Sequence, residues 1–346
     1  MLNFTDSQMG QRRRLLFILG SIAILVSYSL HAQQTSSITA ANWIEAPTSV
    51  SPPGMCCVAM TFDWVDRATL LFGGSYSGGG GTSNETWLWR NGWFRLSPAH
   101  SPSVRQGPGM TWDGLTGNVV LFGGTDESGT NLNDTWTWDG KDWTQQFPPI
   151  SPPARRFDAQ AMVYDAATRR VVLFGGVYAN TGRLADTWSW DGLTRTWTQN
   201  HPLTSPSPRR TMLAYDYSAG DVVLFGGDYN TNNDTGVVLS DTWTWDGINW
   251  KRRWPVSSPS ARTMGAMEWD SSWGAVVLFG GVTGTTTNTT DNDTWYWEHG
   301  SWTEVPAAGN GPPGRWAAGA DYDPVSGALL LFGGFNFVSP FNDTWL

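Results

Sequence analysis

The sequence predicts an all-β fold in which six four-stranded sheets stand around a common axis, and three observations lead there. An apolar run ending in Phe-Gly-Gly occurs six times, its second glycine at Gly74, Gly124, Gly176, Gly227, Gly281 and Gly334, in steps of 50 to 54 residues. A second phrase follows each run: NDTWTWDG at 133 to 140, with close variants beginning at Asn84, Ala185, Ser240, Asn292 and Asn342. The 346 residues include 40 Gly, 20 Pro and 23 Trp and show little helical patterning, so one repetitive body is expected rather than two ordinary domains.

Each unit parses into four short strands rich in β-branched and aromatic residues and bounded by Gly, Pro, Asn and Asp. In the third unit strand A, AMVYD ending at Asp165, turns into strand B, VVLFGG ending at Gly176. Strand C is DTWSW, from Asp186 to Trp190, and strand D begins at Trp197. The A–B connections include DGLTGN (113 to 118), DYSAGD (216 to 221) and DPVSGA (323 to 328), where the leading Asp bonds its own downstream backbone and Gly takes positive φ.

A wedge-shaped sheet leaves little room at the axis and much at the rim, so side chains should grow outward. Strand A, the innermost, carries Ala159 and Ala161, Gly107 and Gly109, Gly265 and Ala266, or Ala317, Ala318 and Gly319. Seventeen of the 23 Trp fall on strands C and D at the rim. Trp136 and Trp138, two apart, point to one face of strand C, against the next sheet. A buried Trp removes roughly 150 to 250 Å² from water, on the order of 4 to 6 kcal/mol gross, so the repeated phrase reads mainly as core.

The sixth unit stops inside strand C, at Asp343-Thr-Trp345-Leu346, without a strand D. NWIEAPTSVSPPG (42 to 54) parallels SWTEVPAAGNGPPG (301 to 314), which is a strand D with its exit loop. Trp43 is therefore expected to supply the missing strand and to remove two sheet edges that would otherwise invite pairing. A chain continuing beyond Leu346 would leave room for a seventh unit.

The double glycine after strand B, the Trp on strand D and the period near 50 resemble the kelch-repeat superfamily, whose β-propellers include the central domain of galactose oxidase. The resemblance covers residues 42 to 346 and implies an all-β, six-bladed propeller closed by the N-terminal strand. It implies fold more than function, because propellers host enzymes and adaptors alike. A galactose-oxidase-like copper site would need Tyr and His near the axis and a Cys-modified Tyr, whereas His100, His201 and His299 all fall on strand D, the C–D turn or the following loop. No cofactor is expected.

Ahead of the repeats, Arg12, Arg13 and Arg14 precede the apolar run LLFILGSIAILVSYSL, and Ala32 offers a small residue for cleavage. Residues 1 to 32 are read as an export signal, by the general or the twin-arginine route, because the run is shorter than the roughly 20 residues a bilayer span requires. Residues 33 to 41 are a linker. A periplasmic, secreted or cell-surface protein follows, with no membrane insertion after cleavage. Losing three Arg and Asp6 makes the mature chain two charges more negative than the −9 of the full sequence, which argues against a nucleic-acid partner. The only cysteines, Cys56 and Cys57, are adjacent and cannot staple distant segments; they read as small apolar fillers of strand A rather than a reactive pair.

Strand direction alternates, so the B–C and D–A loops share one face. From the last Gly of strand B to the acid that opens strand C the offsets run from 9 to 14 residues, and polar loops of variable length on rigid strands are where recognition is built. The D–A loops bring Arg105, Arg155, Arg156, Arg209, Arg210, Arg262 and Arg315 to that face, with Met55 in the place of Arg in the first unit. These arginines are candidates to ring the channel mouth and hold a carboxylate; the competing reading is that each bonds carbonyls of the next sheet or stacks on an aromatic. Trp254 and Trp316 adjoin arginines there and are candidates to stack on a sugar, against plain packing. The acids opening strand C, Glu85, Asp134, Asp186, Asp241, Asp293 and Asp343, recur once per unit, which favours local backbone bonding over catalysis. DYNTNN (228 to 233) has alternating oxygens, yet Asn233 and Leu239 replace the Gly and Glu of a calcium loop, so no metal is assigned.

With no hydrolase elbow, phosphate loop or zinc motif, the favoured reading is a monomeric, non-catalytic module that presents its variable loops to a protein or glycan. The alternative is an exported sugar-modifying enzyme, similar to the kelch-type sialic acid mutarotases, with an Arg/acid site at the channel mouth and Asp158 and Asp228 as the acids.

Overall fold

A computed structural model describes residues 38, 40–76, 81–178, 182–229, 237–284, 289–307, 309 and 311–346. One compact unit spans Thr39–Leu346; of the other, Met1–Ile38, only Ile38 is described, so the expected signal lies outside the described residues. Among the described residues the regular structure is β throughout.

Five sheets have four strands in the order A-B-C-D and a sixth has three. The first comprises Ala59–Asp63, Ala68–Phe72, Thr86–Trp89 and Trp93–Arg95, paired antiparallel. The fourth is longest, with Arg210–Asp216, Asp221–Tyr229, Val237–Trp245 and Trp250–Arg253. The sixth holds Gly319–Asp323, Ala328–Phe332 and Thr344–Trp345. Beside that last strand the N-terminal segment runs antiparallel: Ile44 and Leu346 exchange N–H···O=C bonds of 2.8 and 2.9 Å, and Ala46 N–H donates to the Thr344 carbonyl at 2.8 Å. Each inner strand touches the next, from Ala59–Asp63 through Gly109–Asp113, Met162–Asp165, Arg210–Asp216, Ala266–Asp270 and Gly319–Asp323 back to Ala59–Asp63.

The turns follow the sequence chemistry. Asp113, Asp216 and Asp323 accept from the backbone N–H two residues on, at 2.8 to 2.9 Å, and Gly117, Gly220 and Gly327 have φ of 72 to 74°.

Apolar clusters fill the gap between every pair of successive sheets, including one that joins Met60, Leu71 and Trp93 of the first to Leu330 and Phe332 of the sixth. The strand D tryptophans organise these gaps. Trp93, Trp143, Trp197, Trp250 and Trp302, with Trp43, each meet the Phe-Gly-Gly phenylalanine of the preceding sheet at 5.0 to 5.3 Å between centroids: Phe332, Phe72, Phe122, Phe174, Phe225 and Phe279. The same indoles donate Nε1–H to the strand C threonine of that sheet, Thr344, Thr86, Thr135, Thr187, Thr242 and Thr294, at 2.9 to 3.2 Å.

The paired glycines after strand B let neighbouring chains touch. Gly175 has φ of 65°, and a Cβ there would lie 2.5 Å from the Arg209 carbonyl oxygen, so a side chain is excluded on both counts.

Candidate functional site

Five of the predicted arginines are bolts within the wall. Arg105, Arg155, Arg209, Arg262 and Arg315 are at most 1% exposed. Each guanidinium grips the acid opening strand C of its own sheet, Asp134, Asp186, Asp241, Asp293 or Asp343, through two bonds of 2.5 to 3.1 Å. Nη1 also donates to the first glycine carbonyl after strand B, from Gly123 at 3.0 Å to Gly333 at 2.8 Å. Meanwhile the arginine backbone belongs to the previous sheet's loop: Arg105 N–H donates to the Ser83 carbonyl, and its own carbonyl accepts from Gly74. With every guanidinium nitrogen bonded within the wall and away from solvent, these five do not line a ligand site. The acids bond chiefly to Arg and Trp side chains rather than to local backbone.

A co-occurrence in the sequence signals this pairing. The one unit that lacks the arginine, at Met55, is also the one whose acid is Glu85 rather than Asp. Glu85 takes Arg95 of strand D instead, at 2.8 Å, and Met55 is fully buried.

Beyond each bolt the D–A loop pairs with the start of the B–C loop, at Cys56 with Ser75, Gln106 with Thr125, Arg156 with Val177, Arg210 with Asp228, Thr263 with Val282 and Trp316 with Phe335. The next residues turn into the inner strands in the left-handed region, with φ of 59° at Cys57, 58° at Gly107, 57° at Met264 and 49° at Ala317, while in the third sheet the turn comes one residue later, at Asp158 with φ of 56°. In the fourth sheet Arg210 instead extends the strand directly. This collar surrounds a cavity of about 400 Å³ lined by Arg156, Asp158 and Arg210 on one side and Trp316, Phe335 and Phe337 on another.

Arg156, Asp158 and Arg210 belong to a network of three guanidinium groups and two carboxylates whose other members, Arg183 and Asp228, do not themselves line the cavity. Arg210 Nη1 reaches Asp158 at 3.0 Å and its Nε lies 3.2 Å from Asp228. Arg156 Nε is 3.3 Å from Asp158, and Arg183 Nη2 is 2.6 Å from Asp228, which also accepts from Thr263 at 2.8 Å. Burial pushes the Asp228 carboxyl up, but the charges of Arg210 and Arg183 outweigh it and hold it below the usual range. One positive charge in the network stays uncompensated, and Arg183 Nη1 has no hydrogen-bond partner among the described residues. The surplus positive charge behind the cavity wall favours an incoming anion.

Comparison with known proteins now bears on the fold. Residues 54–268 match the model of the KLHDC2/KLHL20/DRC7 Kelch-repeats domain. The chain belongs to this kelch-repeat family. It is similar to the F-box/kelch-repeat protein At1g51550 of Arabidopsis thaliana, 29% identical over 54% of this chain and 41% of that protein. It is also similar to dynein regulatory complex subunit 7 of Chlamydomonas reinhardtii, 34% identical over 36% of this chain and 11% of that protein. A third relative, tRNA wybutosine-synthesizing protein 4 of Aspergillus fumigatus, is 26% identical over 37% and 12% respectively. The chain thus covers well under two thirds of these relatives.

Within the kelch framework the other predicted residues sort by place. Trp316 lies in the collar, packed edge-on to Phe335 at 5.4 Å and beside Phe337 at 5.6 Å. Trp254 is outside the cavity, 75% exposed, with the Arg252 guanidinium 4.0 Å above its ring. Asp158 and Asp228 do meet Arg156 and Arg210, as the enzyme alternative requires. Residues 230 to 233 of the calcium-like phrase lie outside the described residues, while Asp228 is committed to arginines. Arg183 was not anticipated, although it is the one basic residue in the six B–C loops of the kelch repeats.

Proposed function

We propose that this kelch-repeat chain is an exported, non-catalytic binding module, a closed six-bladed propeller spanning residues 42 to 346, whose collar cavity receives a carboxylate of a protein or glycan ligand. The observation that carries the reading is the convergence of Arg156, Arg183 and Arg210 on two carboxylates, with one positive charge left over beside an aromatic wall. Six-fold closure is supported by the circuit of Trp-to-Thr bonds, which passes from Trp93 to Thr344 and from Trp43 to Thr294. A protein partner is favoured by the name of one relative, a subunit of a regulatory complex. Export rests on the reading of residues 1 to 32.

The test uses an array of acidic glycans and carboxylate-bearing peptides, each beside its amide or ester counterpart. The free carboxylates should be retained and the blocked forms lost, with Arg156→Gln weakening retention about ten-fold, the scale of one charge-assisted hydrogen bond. Equal retention of free and blocked forms by wild type would overturn the reading.

The enzyme alternative is favoured by one fact, the placement of Asp158 and Asp228 beside arginines. Both are more than nine-tenths buried and doubly ion-paired, which suits anchoring better than proton transfer. Mutarotation of an acidic sugar that disappears in Asp158→Asn would reverse this preference.

A further inference from the structure

Cys56 and Cys57 are the only cysteines in the sequence, and both thiols are free. Their Sγ atoms lie 3.0 Å apart, and both residues line the collar cavity, Cys56 half-buried and Cys57 buried. Cys57 is buried, as a small apolar filler would be, yet the two thiols belong to none of the apolar clusters of described residues, whereas Met55 and Val58 on either side pack into the cluster between the first and sixth sheets. Nor does the collar demand a thiol, since Gly107 and Ala317 make the same left-handed turn as Cys57.

We propose that Cys56 and Cys57 form a redox-active vicinal dithiol that closes reversibly to a disulfide in the wall of the collar cavity. The oxidant is a small disulfide of the glutathione type. The more accessible Cys56, as thiolate, attacks one sulfur of the oxidant and expels the first small thiolate, leaving a mixed disulfide. Cys57 then releases its proton to water and attacks the Cys56 sulfur, expelling the second thiolate. Two protein thiols and one small disulfide thus become one protein disulfide and two small thiols. The hydrogen bond with Cys56 and burial hold the Cys57 thiol well above its usual range, which leaves the first attack to Cys56.

Backbone geometry makes the product a switch rather than a staple. Adjacent Cα atoms across a trans peptide are about 3.8 Å apart, below the roughly 4.4 to 6.8 Å of ordinary disulfides, so the ring is strained and easily reduced. It forms where Cys57 accepts from Gly107 N–H and donates to the Ala317 carbonyl, the junction of the first, second and sixth sheets.

The experiment equilibrates the full chain with mixtures of oxidised and reduced glutathione, quenches with acid, alkylates, and maps the cysteine peptide by mass spectrometry. Wild type should lose two hydrogens within that one peptide and recover them in excess reduced glutathione, whereas Cys57→Ser should stop at a glutathione adduct on Cys56. Persistent alkylation of both thiols, or a stable adduct on wild-type Cys56, would overturn the proposal. Phenylarsine oxide, which needs two neighbouring thiols, gives a second readout. Reduced wild type should retain it against a monothiol rinse, and either single Ser variant should lose it; loss from folded wild type would also overturn the proposal.

Discussion

Asp134 shares two carboxylate oxygens among two Arg105 bonds and the Trp136 indole, which donates at 2.7 Å, and four other sheets repeat the arrangement. Removing the cation strands a largely buried anion, so Arg105→Met should cost about 3 kcal/mol in urea unfolding with an unchanged m-value. Burial pushes all five carboxyls up, but arginine hydrogen bonds and charge outweigh it and hold them low. A depressed folded value stabilises above the unfolded carboxyl value of about 3.9, and that stability is lost as pH falls through the folded values. Thermal stability should therefore drop as pH falls below about 4, and less steeply in Arg105→Met; parallel acid profiles would contradict this. Asp321 behaves oppositely, because burial pushes it up to about 7 on an inner strand facing Glu268. The folded state then binds the extra proton between about 4 and 7, and stability falls as pH rises through that window. Asp321→Asn should raise the melting temperature more at pH 8 than at pH 5. The arginines were legible as a set but not as structural, because their partners lie 28 to 32 residues downstream, beyond any local spacing rule.

Asp-Thr-Trp is the smallest element that explains the repeat. The acid holds the arginine of its own sheet, the threonine accepts from the next sheet's strand D indole, and the tryptophan returns a bond to the acid. Thr86→Val keeps the shape but leaves the buried Trp143 Nε1–H unpaired, and should cost about 1 to 3 kcal/mol by urea denaturation. Gly175→Ala, against both φ and the Arg209 carbonyl, should cost at least as much. Strand order, turn chemistry and the tryptophan rim were legible because they repeat. The collar was legible in part: Arg156, Arg210 and Trp316 follow the recurring D–A loops, whereas Arg183 and Phe337 sit in loops without a common pattern.

At the scale of the whole molecule, no sheet stands alone: each strand D indole is capped by the phenylalanine and threonine of the neighbouring sheet. Stability is then a property of the circuit, and the segment around Trp43 joins residues some 300 positions apart in the chain. The central claim is that this segment pairs with the strand ending at Leu346. Ile44 and Leu346 exchange both backbone bonds, a geometry with Cα atoms about 5.5 Å apart and within disulfide range. The direct measurement is disulfide formation between Ile44→Cys and Leu346→Cys in a background carrying Cys56→Ser and Cys57→Ser. Rapid, intramolecular cross-linking of the native protein and a raised melting temperature are predicted. Cross-links that form only between molecules, or none in a folded protein, would contradict the closed ring.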